Sequence, residues 1–162
     1  EASCVSAIQD ELPDLADQRE KAQKISDNTF TIQDLIMQIQ NDGKQQIKWN
    51  ETNKDLLLFV HCHERALNGT NNSLGSLNLP GKFKAKLIDA GCCGMAGSFG
   101  MEKEHYEISK TMANDRLLPA IDNSEENQEI IVTGISCHDQ IKDLSSKTPK
   151  YLVEVLAEAV SD

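Results

Sequence analysis

The sequence is poor in aromatic residues, long apolar runs and positive charge. Aromatic residues make up only 4% of its 162 residues, so a hydrophobic core must be mainly aliphatic. Its longest apolar stretches, such as Leu56–Val60, are far shorter than the roughly 20 residues that span a bilayer. There are 16 Lys and Arg against 26 Asp and Glu, and the net charge of −10 argues against nucleic-acid or anionic-membrane partners. The composition predicts one soluble, acidic domain with no transmembrane segment.

The sequence also lacks an initiating methionine and a basic-then-apolar leader segment. It begins at Glu1, and a cysteine already follows at position 4. We therefore interpret it as a piece of a longer chain, and we predict a cytoplasmic location because nothing in it resembles a signal peptide.

Short apolar segments alternate with amphipathic segments along the chain. The apolar segments predict β-strands at Lys54–Val60, Lys84–Ala90 and Glu129–Thr133. Amphipathic spacing predicts helices around residues 30–39, at Glu104–Ile121 and at Tyr151–Val160. Strands separated by helices imply βαβ units. The predicted fold is α/β, with a small three- to four-stranded parallel sheet and helices on its faces.

Turn and cap residues indicate where these elements end. Asp27 or Thr29 is the expected cap of the first helix, and Gly43 is its expected stop. A weaker apolar stripe near the start is expected to break at Pro13. Residues 68–82 are rich in Asn, Gly, Ser and Pro, so they predict a loop or short irregular turns.

Four of the five cysteines follow predicted strands. Cys62 comes after the first strand, Cys92 and Cys93 after the second, and Cys137 after the third. Parallel strands end at one edge, so we expect these thiols at the carboxyl edge, where open α/β folds place ligands. A buried cysteine often acts only as a small hydrophobe, and an odd number of cysteines fits a disulfide framework poorly. Converging thiolates point instead to a metal, either zinc or an iron–sulfur cluster.

A glycine-punctuated loop surrounds the adjacent cysteines, with glycines at positions 91, 94, 97 and 100. Glycine permits positive φ and close approach of the backbone, so N–H groups of such a loop can point at sulfide or thiolate. The spacing does not match the dinucleotide-binding fingerprint. We predict that Gly91, Gly94 and Gly97 contact the cofactor.

Histidines adjoin the cysteines, but their spacing does not identify them as ligands. His61 and His63 flank Cys62, and His138 follows Cys137. On a strand, His61 and His63 would face the side opposite Cys62. No Cys-x-x-Cys pair of the zinc-finger type is present, and neither a cysteine-phosphatase loop nor a papain-type nucleophile fits the sequence. We interpret the histidines as structural or supporting residues.

Three segments closely resemble the cysteine-rich CCG domain, which occurs in heterodisulfide reductase and in the iron–sulfur subunits of glycolate oxidase and anaerobic glycerol-3-phosphate dehydrogenase. The segments are residues 61–67 (His-Cys-His-Glu-Arg-Ala-Leu), 90–100 (Ala-Gly-Cys-Cys-Gly-Met-Ala-Gly-Ser-Phe-Gly) and 133–140 (Thr-Gly-Ile-Ser-Cys-His-Asp-Gln). The sequence is most similar to the C-terminal part of large fused FAD-linked oxidases that look like D-lactate or D-2-hydroxyglutarate dehydrogenase. Residues 102–107 and 153–157 carry that closer resemblance.

The resemblance implies an iron–sulfur, electron-transfer domain of a flavin-dependent 2-hydroxy-acid oxidoreductase. In such proteins FAD takes hydride from the substrate, and electrons then pass through iron–sulfur centres to a quinone or another acceptor. By resemblance, the cluster ligands are Cys62, Cys92, Cys93 and Cys137. The parent protein would be cytoplasmic and peripheral to the inner membrane, and we expect this chain alone to catalyse nothing.

Such proteins carry the CCG domain in two copies. Residues 1–45 look like the tail of a preceding copy followed by a helical linker, and residues 46–162 look like a complete second copy. The implied partners are the FAD-binding and first CCG portions of the parent chain.

One position departs from the family pattern, which closes with Cys-x-x-Cys. Gly134 stands where the first cysteine of that pair would be. Four cysteines suffice for an ordinary 4Fe-4S cluster, and Cys4 is a further candidate ligand, from the neighbouring copy. The departure also leaves open a structural docking module with an empty or zinc-filled site, for which Met95 and Phe99 would supply contact surface. Thiol–disulfide chemistry at the adjacent cysteines is a third alternative.

Overall fold

The computed structural model describes residues 1–44 and 46–161 and contains a four-stranded sheet. The strands are β1 (Lys54–Phe59), β2 (Phe83–Leu87), β3 (Gln128–Val132) and β4 (Lys150–Tyr151). Their spatial order is β2-β1-β3-β4, and every neighbouring pair is parallel. The predicted α/β class with a small parallel sheet is therefore confirmed.

The two central strands are buried on both sides, which explains their nearly continuous apolar sequences. In β1, Leu56 and Leu58 pack into one core cluster, whereas Phe59 packs into the other. In β3, Ile131 packs into the cluster of Leu56 and Leu58, whereas Ile130 and Val132 pack into the cluster of Phe59. The sheet thus separates two aliphatic cores.

Helices cover both faces of the sheet. Those on one face are α4 (Ile32–Asp42), α6 (Asn71–Leu77) and α10 (Leu152–Ala159). Those on the other are α7 (Tyr106–Asp115), α8 (Leu117–Asp122) and α9 (Ile135–Leu144). The remaining α-helices are α1 (Ala2–Ser6), α2 (Leu12–Leu15), α3 (Arg19–Ser26) and α5 (Cys62–Asn68).

Several predicted elements differ from the structure. The second strand ends at Leu87 and not at Ala90, and residues 68–82, predicted as a loop, contain α6. The helix predicted at Glu104–Ile121 is two helices, α7 and α8, interrupted at Arg116. Pro119 explains the break, because a proline inside one continuous helix would remove an N–H donor and collide with the preceding turn.

Pro13 does not end its helix as predicted. Residues 7–11 widen into a π-helical segment between α1 and α2, and the helical run continues to Leu15. A π-segment just before a proline relieves the contact between its ring and the preceding turn. The cap of α4 is Thr31, neither of the two predicted residues, whereas Gly43 at φ +67° ends that helix as predicted.

None of the described helices combines the length and apolar character that a membrane-spanning helix requires. The domain boundary predicted between residues 45 and 46 falls at Gln45, which lies outside the described residues.

Candidate metal centre at the carboxyl edge

Three strand ends bring four cysteines to the carboxyl edge of the sheet. Cys62 is the first residue of α5, directly after β1. Cys92 and Cys93 lie in the loop after β2, and Cys137 lies in the first turn of α9, after β3. Residue spacing alone did not predict α9, so Cys137 was correctly expected at the edge but not on a helix.

The four thiols form a row of contacts. The Sγ atoms of Cys62 and Cys92 are 3.7 Å apart. The thiols of Cys92 and Cys137 both lie near enough to the Cys93 thiol to affect its pKa, which extends the row to four. Cys62 and Cys92 are half-buried, whereas Cys93 and Cys137 are buried, so the row runs from the surface into the core. Cys4 is exposed on α1.

The row disfavours thiolates when no cation is present. Contact with the Cys137 thiol, together with burial, raises the pKa of Cys93 to about 12. Contact with the Cys93 thiol, followed by burial, raises the pKa of Cys92, and burial raises the pKa of Cys62. A cation reverses this balance because it binds thiolates and releases their protons.

The donor set fits a soft metal, although the side chains do not close around one point. Within residues 1–44 and 46–161, no three His, Cys, Asp or Glu side chains are arranged to hold a single metal ion. A cavity of ≈ 570 Å³ lies against Cys62 and Gly97. That volume far exceeds the roughly 30 Å³ share of one water molecule, so a group of several atoms has room beside the thiols.

Arg65 ties the helix that carries Cys62 to the loop that carries Cys92. Its Nη1 donates to the Ala90 carbonyl oxygen at 2.5 Å, and its Nη2 donates to the Gly91 carbonyl oxygen at 2.6 Å. The planar guanidinium makes these bonds from two nitrogens held in a fixed fork, a geometry that the single nitrogen of a lysine lacks. Arg65 therefore holds two cysteine-bearing segments in register.

The glycine loop is shaped by its contact with α7. Gly94 has φ +91°, and a Cβ there would lie 2.9 Å from Cα of Ser109. Its N–H donates to Sγ of Cys92 at 3.3 Å, the kind of contact expected for this loop. Gly97 has φ +69° with open space around it, whereas Gly91 has no positive φ and contributes its carbonyl oxygen to Arg65.

Hydrogen bonds from Gln140 on α9 and packing against Ser109 on α7 hold the glycine loop in place. The Gln140 side-chain amide donates to the Cys93 carbonyl oxygen at 3.0 Å and to Oγ of Ser109 at 2.8 Å. A Cβ at Gly100 would also lie against Ser109. Both polar side chains are buried, so these bonds replace contacts with water.

The histidines occupy three different settings. His63 is hydrogen-bonded to Oγ of Ser6 at 2.7 Å, and His138 pairs with Asp139 at 2.9 Å. His61 is buried, and burial lowers its pKa. His61 and His63 do not share a strand face as predicted, because the chain is already helical from Cys62.

Two apolar residues of the loop, predicted as contact surface for a docking module, are less exposed than that role requires. Met95 is buried, so it cannot serve as contact surface. Phe99 stacks on His105 with a ring separation of 4.0 Å.

Sequence reasoning missed Arg65, Ser109 and Gln140 as parts of the site. Arg65 lies three residues after Cys62, which is helical spacing, but that signal appears only once Cys62 is recognised as the start of a helix. Nothing in the local sequence distinguishes Ser109 or Gln140 from other polar helix residues.

Comparisons with known proteins connect the chain to larger dehydrogenases. It is 29% identical to a D-2-hydroxyglutarate dehydrogenase of Pantoea ananatis (strain AJ13355) over 136 residues, which cover 82% of the chain and 13% of that protein. It is 31% identical to the D-2-hydroxyglutarate dehydrogenase of Escherichia coli (strain K12) over 105 residues, which cover 63% of the chain and 10% of that protein.

A third relative matches almost the whole chain. This relative is one subunit of the anaerobic glycerol-3-phosphate dehydrogenase of Escherichia coli (strain K12), and it is 24% identical over 163 residues, which cover 99% of the chain and 39% of that protein. No family model matches the chain, and no solved structure does. The chain spans much less than two thirds of each of these relatives. It is thus homologous to parts of larger dehydrogenases, which makes it an oxidoreductase-related domain.

Proposed function

We propose that this chain is an iron–sulfur, electron-transfer domain of a flavin-dependent 2-hydroxy-acid oxidoreductase. The proposed ligands are Cys62, Cys92, Cys93 and Cys137. One observation carries the proposal: three separate strand ends deliver these four thiols into one row at the edge where α/β sheets bind ligands. The dehydrogenase names of the relatives support the reaction class.

The chain's own residues would set the surroundings of the cluster. When bound, an iron–sulfur cluster supplies one-electron transfer at a potential that nearby hydrogen bonds and burial adjust. Gly94 donates an N–H to Cys92 sulfur, and we assign cofactor contact to Gly91 and Gly97 of the same loop. Burial of Cys93 and Cys137 keeps water from the inner end of the row.

The proposal extends to partners outside the chain. FAD would belong to another portion of the parent protein, and a preceding CCG copy would end within residues 1–45, leaving 46–162 as the second copy. The parent would be cytoplasmic and peripheral to the inner membrane. A quinone or another carrier would accept the electrons. A cavity of ≈ 490 Å³ lined by Met101, Tyr106 and Gln140 offers an approach for such an acceptor, since Gln140 contacts Cys93.

A second candidate is a docking module with an empty or zinc-filled site. Among the described residues, the side chains of the thiol row are not arranged around a single metal ion, and this observation favours the docking module. The two candidates predict different metal contents under anaerobic conditions: iron and sulfide for the electron-transfer domain, and zinc or no metal for the docking module.

The test is metal analysis after anaerobic reconstitution with iron and sulfide. We expect about four iron and four sulfide per chain, with visible absorbance bleached by dithionite. Cys92→Ser should lose most of both, because Cys92 lies at the centre of the row. Cys4→Ser is the matched control, because Cys4 is exposed on α1, and it should retain both. Zinc alone in the wild-type chain would favour the docking module, and full iron and sulfide in Cys92→Ser would contradict the proposed ligand set.

A further inference from the structure

A buried carboxylate without a cationic partner lies in the wall of a surface cavity. Glu64, on α5, lines the cavity although only 3% of its surface is exposed. Its Oε1 accepts hydrogen bonds from Nε2 of Gln33 at 2.7 Å and from Oγ of Ser73 at 2.5 Å, and both donors are neutral. Oε2 takes part in neither bond. A glutamate is rarely this buried unless it is paired with a positive charge, so this carboxylate favours a cationic ligand.

The lining of this cavity is negatively charged. The cavity has a volume of ≈ 490 Å³ and is lined by residues of α1, α4, α9 and α10 as well as by Glu64. Glu1 contributes a second carboxylate, which accepts a hydrogen bond from the Ile135 N–H at 3.0 Å. Among residues 1–44 and 46–161, no Lys, Arg or His lines it. The charge of the lining is therefore complementary to a positively charged group.

Large apolar side chains surround the same cavity and are exposed. They come from three separate parts of the chain, and their exposed fractions are 42% for Phe30, 44% for Ile32, 58% for Ile135 and 49% for Val153. Single exposed apolar residues are ordinary, whereas a group of them around one cavity is typical of an interaction site. An apolar rim around a buried carboxylate fits a polypeptide segment in which apolar residues flank a basic one.

We propose that this cavity docks a segment of a partner polypeptide that inserts an arginine side chain toward Glu64 and packs apolar residues on the rim. Arginine fits better than lysine because its guanidinium is planar, weakly hydrated and able to stack on aromatic rings, and Phe30 and Tyr151 both line the cavity. Ile135 also lines the cavity beside Cys62, so the docked partner lies next to the thiol row. The docking itself requires no metal, so it goes beyond the proposed function and does not depend on it.

Methyl NMR titration of the chain under reducing conditions tests the proposal. The probe is the N-acetylated, C-amidated tripeptide Leu-Arg-Leu, and the matched probe carries citrulline, a neutral isostere, in place of arginine. We expect saturable shifts of the Ile32, Ile135 and Val153 methyl signals with the arginine peptide. The citrulline peptide should bind about tenfold more weakly, because a hydrogen bond between two charged groups is the stronger one.

Two pairs of variants identify the residues involved. Glu64→Gln retains an oxygen for Gln33 and Ser73 but removes the charge, so it should weaken the arginine peptide about tenfold. Glu126→Gln is its control, because Glu126 is exposed and precedes β3, at the opposite edge of the sheet.

Val153→Lys tests the rim without altering a buried group, so it decides the matter even if Glu64→Gln does not fold. It places a positive charge beside the cavity and should abolish binding of the arginine peptide. Val160→Lys is its control, because Val160 is 51% exposed at the other end of α10 and does not line the cavity. This variant should bind like the wild-type chain.

Several outcomes would overturn the proposal. Equal affinity for the arginine and citrulline peptides would exclude a basic partner, and the absence of saturable shifts would exclude docking at this cavity. Binding of acetyl-arginine amide as tightly as the tripeptide would indicate a small-molecule site and not a docking surface. Equal affinity of Val153→Lys and Val160→Lys would place the binding elsewhere. None of these results affects the proposed function, which depends on the iron and sulfide content of the chain.

Discussion

At the scale of single residues, Ser109 determines which glycines the cysteine loop requires. Gly94 and Gly100 both approach Ser109 so closely that neither position has room for a Cβ. Gly97 and Gly91 have no such contact. The regular spacing of glycines in the sequence therefore hides two different causes: two positions are required by packing on α7, and the others are not.

Gly94→Ala should destabilise the chain. The added Cβ would overlap the Ser109 backbone and force a positive φ on alanine, and overcrowding alone costs roughly 1–3 kcal/mol. Urea unfolding of the metal-free chain measures the loss. Gly81→Ala is the control, because a Cβ there meets nothing within 4 Å and φ is not positive. Equal stability of the two variants would contradict the packing argument.

At the scale of elements, α5 connects two strand ends through one side chain. Cys62 opens the helix, and Arg65 reaches from its first turn to the peptide before Cys92. Just beyond β2, the Ile88 N–H still donates to the Leu58 carbonyl oxygen of β1 at 2.9 Å, and the double hydrogen bond from Arg65 restrains the loop further along. The separation of the first two thiols depends on that restraint.

Arg65→Met should separate the two segments while retaining the bulk of the side chain. We expect a loss of about 1–3 kcal/mol of stability, because the two carbonyl oxygens lose a charged donor, and we expect reduced iron retention after reconstitution. Arg19→Met is the control, since the Arg19 side chain is 74% exposed and pairs with the similarly exposed Asp14. The stability of this variant should change by less than about 1 kcal/mol. Unchanged iron content in Arg65→Met would show that α5 does not position the loop.

At the scale of the whole molecule, the strand beginnings carry an ion network, whereas the strand ends carry the thiols. Lys54 contacts Glu129 at 3.0 Å and Glu158 at 2.6 Å, and Lys150 contacts the same two carboxylates at 3.0 Å. Lys54 is only 12% exposed, so this network links β1, β3, β4 and α10 at a partly buried place. Two cations here offset part of the acidic charge of the chain.

Acid should weaken this network. Burial opposes the charge of Glu129, but hydrogen bonds from Lys54 and Lys150 outweigh burial and lower its pKa. The same two lysines lower the pKa of Glu158. A lowered folded-state pKa contributes stability above the unfolded value of about 4.5 and loses it as pH falls through the folded value. Urea unfolding should therefore show falling stability below about pH 4.5.

Glu129→Gln tests the origin of that acid dependence. It should lower stability at pH 7 by about 1 kcal/mol and should flatten the decline between about pH 4.5 and pH 3. A variant with the same slope as the wild-type chain would mean that other carboxylates cause the acid sensitivity. Asp14→Asn, in the exposed pair with Arg19, is the matched control and should leave the slope unchanged.

The sequence by itself determined the fold class, the three main strands and the edge at which the cysteines gather. Apolar runs and the residues that follow them are local features, so they can be interpreted without knowing the packing. The ends of the helices were harder to predict from the sequence, because the effects of Pro13 and Pro119 depend on the geometry of the turns around them.

Only the tertiary structure decided how the edge is built. The contact of Arg65 with the loop after β2, the support of that loop by Ser109, and the position of His61 against Gly134 each join residues from separate segments of the chain. Such contacts depend on which helices cover the sheet and how closely they approach it, and neither follows from residue spacing. The sequence therefore determined which thiols meet, and packing decided what surrounds them.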